Sequence, residues 1–396
     1  AGCAGLVAAM ELATRGYRNV TIFEANSQVG GKVLTLEQDG VDFELGQLLF
    51  GQRYRAIWRL AIDVGCEFFS ELRTDFLQEA SGERSELRTT HAVKAWYETL
   101  FAAAGMNSFE SPEPSVEEIP EDLLMPVGAW LAKHRIASPP AAFLTSWTAC
   151  GYGYLSDDIP AWYLLRYARI IHSASALPLA IKGGNQSLWT RVARVLQDKH
   201  GFRFQLGAAV THYESDDSGV SLAVANAKPE RFDAVIFASP AHVLAPLLPV
   251  EARGPFERFR HYGYRSVALD AEGLPDHIRS IHFAEAQRVP DPGRLLAIAR
   301  AHSAPRSFVA CQYISRPGEG ELSEAELDAK LETELQGMGV RITARRGGAR
   351  WLKYFPHLAV EDLERGTLQE IESRQGKNRT FYTGSYLAFE TLEHVA

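Results

Sequence analysis

Gly2-Cys3-Ala4-Gly5, a helical run from Leu6 to Thr14, then Val20-Thr21-Ile22-Phe23-Glu24 and Gly30-Gly31-Lys32 are the residues whose reading decides the fold. Strand, glycine-rich turn, helix, strand and acid is the order of a dinucleotide-binding βαβ unit, whose full signature is G-x-G-x-x-G with an acidic residue about 20 positions on. Gly2 and Gly5 fit its second and third glycines, and Glu24 lies 19 residues beyond Gly5. Gly2 lets the backbone approach a pyrophosphate, Gly5 lets the helix lie close on the sheet, and the helix N-terminus offers free N–H groups with a positive dipole end. Glu24 suits a free ribose hydroxyl and disfavours a 2′-phosphate. The chain opens inside the motif, so an apolar strand carrying the first glycine is expected ahead of Ala1.

Working outward, the composition is that of a globular protein: 396 residues, 46% hydrophobic, 23% charged. A net charge of −8 argues against a nucleic-acid partner. Cys3, Cys66, Cys150 and Cys311 show no C-x-x-C spacing, so no disulfide framework or zinc site is expected and a reducing, cytoplasmic compartment is. The longest apolar stretch, 234–250, is broken by Pro240, His242, Pro246 and Pro249, so no transmembrane segment is expected. The 12 histidines lack metal-binding spacing, and no G-x-S-x-G elbow occurs.

Val41 to Gly46 alternates as a strand ending on glycine. From Thr90 to His172 the pattern is helical and aromatic, with a Pro/Glu-rich connector at Ser111 to Glu121. Trp147, Tyr152, Tyr154, Trp162, Tyr163 and Tyr167 read first as core of that region and second as lining of an apolar cavity. Ile181 to Gln186 is a glycine turn into a helix from Leu188 to Leu196. Phe202 to Gly207, Ala209 to Glu214 and Val220 to Ala225 read as short antiparallel strands, and Phe232 to Ala238 as a buried strand ending at Ser239-Pro240. Residues 262–345 read as strands (Tyr264 to Leu269, Ile278 to Ala284, Leu295 to His302, Ser307 to Ile314) and then a helix. Ser323 and Glu326 form a capping box for that helix, with Leu327, Leu331 and Leu335 on one face. In the tail, Arg379 to Ser385 is a strand ending in glycine, followed by a helix from Tyr386 to Val395. A glycine and helix start there would bring backbone N–H groups and a positive dipole end to the edge of a bound ligand.

With Gly30-Gly31-Lys32 following the ribose acid, the chain resembles the flavin amine oxidase superfamily, in which arginine is commoner than Lys32. Within it, the blocks Glu44-x-Gly46, Phe76-Leu77-x-Glu79, Leu123-Leu124-Met125-Pro126, Gly151-Tyr152-Gly153, Gly184-x-Gln186, Tyr354-Phe355-Pro356-His357 with Glu361-Asp362, and Phe381-Tyr382-x-Gly384 resemble the bacterial polyenoic fatty acid isomerases in matching order. The resemblance implies an α/β fold with a discontinuous Rossmann-like FAD-binding domain (1–64, 181–252, 350–396). The rest (65–180, 253–349) would be a sheet-plus-helix substrate domain with a helical lid. It implies FAD contacts from Gly2, Ala4, Gly5, Glu24, Ala25, Gly30, Gly31, Lys32, Gly46, Gln47, Leu48, Val210, Ser239, Gly384, Ser385, Thr391 and Leu392. Substrate contacts would come from Arg73, Tyr152 and Tyr354, and no catalytic side chain is singled out. Two departures stand out: Thr74 replaces a second arginine of the isomerases' Leu-Arg-Arg-x-Phe stretch, and Ser173 to Ala176 is built of smaller residues than theirs. Ser385 stands where an acid is usual in the superfamily. The expected activity is hydride removal from a lipophilic molecule. Its alternatives are double-bond isomerisation of a polyunsaturated fatty acid with internal hydride return, and a catalytically degenerate flavin-binding protein.

Overall fold

The computed structural model describes residues 1–47, 54–70, 74–87, 90–106, 118–171, 179–225, 227–302 and 304–395. Leu48, Arg73, Ser173 to Ala176 and most of the Pro/Glu-rich connector lie outside them.

The chain opens with α1 (Cys3–Thr14), β1 (Thr21–Phe23) and the hairpin β2 (Thr35–Gln38) and β3 (Val41–Glu44). Leu6, Ala9 and Ala13 recur at helical spacing and are buried against Leu188, Trp189 and Leu196 of α7 (Gln186–His200). A Cβ on Gly5 would stand 3.1 Å from the Ala238 Cβ, so the third glycine is where α1 rides closest on the sheet. α7 ends at Gly201, in the left-handed conformation (φ +72°), and leads directly into β8 (Arg203–Gln205). That strand pairs with β1 in parallel, Thr21 beside Arg203, rather than antiparallel as the sequence suggested. A helical crossover returns the chain in the same direction, whereas a hairpin reverses it. β9 (Val210–Asp216) and β10 (Gly219–Val224) do form an antiparallel hairpin, closed by Ser218 and Gly219 N–H groups donating to Asp216.

The stretch Phe232 to Ala238 is two strands, not one. β11 (Glu230–Phe232) pairs with β10, and after Asp233-Ala234 the chain changes sheets so that β12 (Val235–Phe237) pairs in parallel with β18 (Thr380–Tyr382). Nor is it uniformly buried, since Ile236 is 38% exposed. The chain just past β1 and just past β12 lies at the start of α1, Glu24 at Ala1 and Ala238 at Gly5.

Between these parts run α2 (Arg55–Asp63), β4 (Phe68–Ser70), β5 (Thr74–Gln78), β6 (Arg84–Glu86), and the helices α3 (His91–Ala103), α4 (Val127–Lys133), α5 (Ala141–Trp147) and α6 (Ala161–Ile171), with β7 (Leu179–Ile181) returning beside β4. The helices bury Trp130, Phe143, Trp147 and Tyr154 almost completely, and Trp162 and Tyr163 are also core. Two of their polar atoms are served, Trp130 Nε1 donating to Asp122 and Tyr163 OH accepting from the Leu358 N–H, whereas Trp147 Nε1, Tyr154 OH and Trp162 Nε1 are buried without a hydrogen-bond partner among the described residues.

The remaining elements are α8 (Ala241–Leu244), α9 (Val250–Glu257), β13 (Arg260–Glu272), β14 (Ile278–Phe283), α10 (Ala284–Arg288), β15 (Leu295–Arg300), β16 (Ser307–Ser315), α11 (Glu324–Gly337), β17 (Arg341–His357), α12 (Val360–Glu364), α13 (Thr367–Glu372) and α14 (Leu392–Val395). Seven strands form one sheet in the order β17-β13-β16-β15-β14-β5-β6. The strands expected in this region end at Ile314 and do not include β17, which pairs with β13 along most of its length. The expected division at 349–350 falls inside it. One sheet face packs Val267, Leu269, Ile281, Ile298 and Phe308 under Leu331 and Leu335 of α11, whose Ser323–Glu326 capping box is present. Three fully buried leucines there contribute roughly 1.5–3 kcal/mol each. The tail is helical only from Leu392. Leu387 and Ala388 N–H groups close a turn on the Gly384 carbonyl, sending Tyr386 to Phe256 and Phe259 while Phe389 packs on Tyr152 and Phe355. A continuous helix would place those two aromatics on one face.

Candidate functional site

The opposite face of the large sheet, the helices and the two parallel pairs enclose one cavity of about 2060 Å³. At one end Gly2 bridges Gly30, whose N–H donates to the Ala1 carbonyl at 2.9 Å. Gly30 (φ +117°) and Gly31 (φ +59°) adopt backbone conformations that side chains resist, and a Cβ on Gly31 would stand 3.0 Å from the Gly2 Cα. Two peptide segments therefore lie against each other with no side chain between them, beside the first turn of a 12-residue helix. Glu24 ends β1. Its Oε1 accepts from Asn26 N and Nδ2, both at 2.9 Å, and its Oε2 lies at the Ala1 amino nitrogen. Its backbone N–H donates to Gln205 O, and its carbonyl accepts from the Ala208 N–H, which fixes the strand end against the β8–β9 turn.

Lys32 crosses from the glycine pair to the tail. Its Nζ donates to Glu390, a nearly buried carboxylate, and lies 5.1 Å from the Tyr354 ring centroid. The Tyr152 hydroxyl donates to the Glu390 carbonyl at 3.0 Å. Glu390 Oε2 and Ser239 Oγ are buried without a hydrogen-bond partner among the described residues.

A second buried carboxylate ties the β2–β3 hairpin to the start of α7. Glu44 accepts from the Asn185 N–H at 2.7 Å and from Thr35 Oγ1 at 2.9 Å. The Thr35 hydroxyl accepts from the Gln186 N–H, and Gln186 Nε2 donates to the Val29 carbonyl. Burial pushes the Glu44 carboxyl up to about 8 against those two bonds, so the group is largely protonated at neutral pH.

Farther along, Tyr152, Tyr167, Tyr264 and Tyr354 face Cys150 and Cys311 on the cavity wall. Burial holds all four phenols well above their ordinary value and the Cys150 thiol at about 12, so this wall carries neutral groups. At the far end, Arg279 grips Asp75 through Nε (2.7 Å) and Nη2. Ser280 Oγ donates to the same carboxylate at 2.5 Å and lies 2.9 Å from His282 Nε2.

The structure brings Gly2, Ala4, Gly5, Glu24, Ala25, Gly31, Lys32, Gly46, Gln47, Val210, Ser239, Gly384, Ser385, Thr391, Leu392, Tyr152 and Tyr354 to this one cavity. Gly30 lies beneath its wall. Of the six aromatics singled out between residues 147 and 167, Tyr152 and Tyr167 reach it, and Trp147, Tyr154, Trp162 and Tyr163 pack behind. His357 is core: its Nδ1 pairs with the Phe355 carbonyl, and burial lowers it to about 4. The sequence did not mark Asp75, Arg279, Ser280, Cys150, Cys311 and Glu44 as site residues; Glu44 alone carried a signal, as the acid two residues before Gly46. Among the described residues no group of three or more His, Cys, Asp or Glu is placed to hold a metal ion, and no helix is long and apolar enough to cross a membrane.

Comparison with known proteins accords with this arrangement. AofH of Mycobacterium tuberculosis, named as a flavin-containing monoamine oxidase, is 26% identical over 299 residues; the match covers 69% of this chain but only 64% of that protein. The polyenoic fatty acid isomerase of Ptilota filicina is 21% identical over 463 residues, covering 100% of this chain and 91% of the other. The crystal structure of the CLA-producing fatty acid isomerase from P. acnes superposes with a TM-score of 0.88 at 20% identity, over 100% of this chain and 94% of that one, a likeness of fold. The model of the flavin containing amine oxidoreductases matches residues 3–268, two thirds of the chain, and the protein belongs to that family, whose cofactor is a flavin.

Proposed function

We propose that the protein binds FAD along the glycine-lined end of the cavity and removes a hydride from a lipophilic small molecule held in the rest of it. The observation that carries this reading is the continuity of the cavity, from the close-packed Gly2–Gly31 cradle and Glu24 to a wall of neutral tyrosines and cysteines. The residues fit the cofactor. The cradle leaves backbone N–H groups for a pyrophosphate, Glu24 is an acceptor for ribose hydroxyls, and Ser239 Oγ and Glu390 Oε2 are buried polar atoms awaiting partners. In this reading the nucleotide part is discontinuous, taking 1–64, 181–252 and the chain that follows β17.

When bound, a flavin accepts a hydride at its ring nitrogen and so supplies the redox chemistry. The chain's own residues orient and exclude. Tyr152, Tyr167, Tyr264 and Tyr354 offer apolar faces and keep water from the reacting carbon, Lys32 places a cation near the tail, and Gly384 and Ser385 present backbone there. A second reading, return of the hydride within one turnover to move a double bond, is favoured by the match to the Ptilota filicina isomerase along the whole chain.

Anaerobic mixing of the oxidised flavoprotein with unsaturated fatty acids, polyenes and amines tests both. Lasting bleaching of the flavin supports the oxidase or desaturase form, and a double-bond isomer without net reduction supports the second reading. No spectral or chemical change with any of them refutes catalysis.

A further inference from the structure

The cavity floor changes chemistry in order across the large sheet. Tyr354 on β17 and Tyr264 on β13 form an aromatic end beside the nucleotide motifs. Cys311 on β16 pairs with Ala297 on β15, and Ala299 pairs with Ser280 on β14, giving a middle of small side chains. Ser280 in turn pairs with Asp75 on β5. Neighbouring strands are about 4.8 Å apart, so the five steps from β17 to β5 make a floor about 24 Å long. Such a floor suits an elongated molecule with its reacting carbon at the tyrosines and its far terminus at Asp75.

That terminus meets a built site. Ile278 pairs with Thr74 and Ser280 with Asp75, so Arg279 is one residue too many, a bulge. On a regular strand Arg279 and Ser280 would point to opposite faces; the bulge turns both toward one carboxylate. Burial works to raise the Asp75 pKa, yet the hydrogen bond and charge of Arg279, with Ser280 and His282, hold it below the ordinary carboxylate value. Asp75 is ionised and can only accept, so Ser280 donates to it, and the Ser280 oxygen accepts the His282 Nε2–H. The Asp75 side chain keeps 22% exposure, while Arg279 Nη1 is buried with no partner among the described residues. The other described charges bordering the cavity from β3, β6, α3 and β15 balance too, Asp42 and Glu86 against Lys94 and Arg300.

Resting on the reading of a lipophilic substrate, we propose that the Asp75–Arg279–Ser280 cluster receives the substrate's polar terminus, and that this terminus is an uncharged hydroxyl. The ion pair is already neutral. A carboxylate entering it meets Asp75 and an ammonium meets Arg279, each a like charge in a water-poor setting. A hydroxyl donates to the open side of Asp75 and brings no charge to the pair.

The test is binding to the flavin-loaded protein, read by quenching of its tryptophan fluorescence, of a long-chain primary alcohol and of the acid, amine and alkane of equal chain length. The alcohol should bind about tenfold tighter than the other three, the worth of one hydrogen bond to a charged group. Asp75→Asn leaves Arg279 uncompensated and should move the preference to the acid, and Arg279→Gln should move it to the amine. Equal affinity for all four ligands, or an acid or amine preference in the unaltered protein, overturns the proposal and leaves the lipophilic-substrate reading standing. Failure of all four to bind overturns both. Should the variants not fold, the ranking in the unaltered protein decides.

Discussion

Replacing Glu44 by glutamine is expected to make the flavin-free protein more stable than the parent in alkaline solution and no more stable in acid. In the folded chain burial raises the carboxyl from 4.5 to about 8. Between those values the native state binds more protons than the unfolded state, so the carboxyl's contribution is fully present below 4.5 and is lost as pH rises through 8. At about 1.4 kcal/mol per pH unit, a gap of roughly three and a half units amounts to about 5 kcal/mol. The N-terminus of the 15-residue α7 favours the charged form by up to about 1 kcal/mol, which brings the expected loss to about 4 kcal/mol. Glutamine copies the protonated acid: its oxygen still accepts from the Asn185 N–H, and its amide donates to the Thr35 hydroxyl. Urea unfolding of both proteins at about pH 5, 7 and 9 measures the difference between them, in which the other titrating groups cancel. A difference that stays flat over that range refutes the protonated, buried assignment.

Substitutions at four further residues have defined outcomes. Gly31→Ala drives a Cβ to 3.0 Å from the Gly2 Cα at φ +59°, and should cost about 1–3 kcal/mol and leave the purified protein colourless; undiminished visible absorbance per protein contradicts the cradle. Glu24→Ala should weaken flavin affinity by about 1.5–3 kcal/mol and Glu24→Gln by less, read by titrating apoprotein; equal affinities would remove Glu24 from the ribose. Ser323→Ala should destabilise α11 by about 0.5–2 kcal/mol and Leu331→Ala by about 2–5 kcal/mol in chemical denaturation, the first through the lost cap and the second through a cavity under the sheet.

The parts of this molecule legible in the sequence are those whose cause is local. The close approach of two peptide segments is a backbone shape, so Gly2, Gly30 and Gly31 announce it, and a capping box is written within four residues, as at Ser323 to Glu326. Pairing direction is not local: the strand at Arg203 to Gln205 takes its sense from β1, whose Thr21 stands 182 residues upstream of its partner Arg203. β17 was missed because Arg345, Arg346, Gly347 and Gly348 break a strand's apolar alternation. Those residues make sense only beside Asp328 and Asp270, and beside Ser266, whose carbonyl would lie 2.7 Å from a Cβ on Gly348. The Asp75–Arg279 contact spans 204 residues and depends on a bulge, a feature of pairing that neither strand shows alone. Tyr152 and Tyr354 were found through the blocks around them, whereas nothing in the spacing of Trp147 or Trp162 says which side of a helix the cavity lies on.

β17 is the outermost strand of the large sheet, and among the described strands it bonds to β13 alone. An unpaired edge 17 residues long is a template on which a stray strand from another molecule can zip. Here that edge is studded with Arg341, Arg345, Arg346 and Arg350, each braced by at least one acidic side chain, to Glu272, Asp328, Asp270 and Glu324 in turn. The bracing holds bulky, hydrated groups along the ladder, and repeated register shifts against β13 keep it from lying flat. The consequence is colloidal: these arginines act as gatekeepers against fibril-like association, and trimming them to small apolar residues would shorten the protein's life in concentrated solution before it touched anything in the cavity.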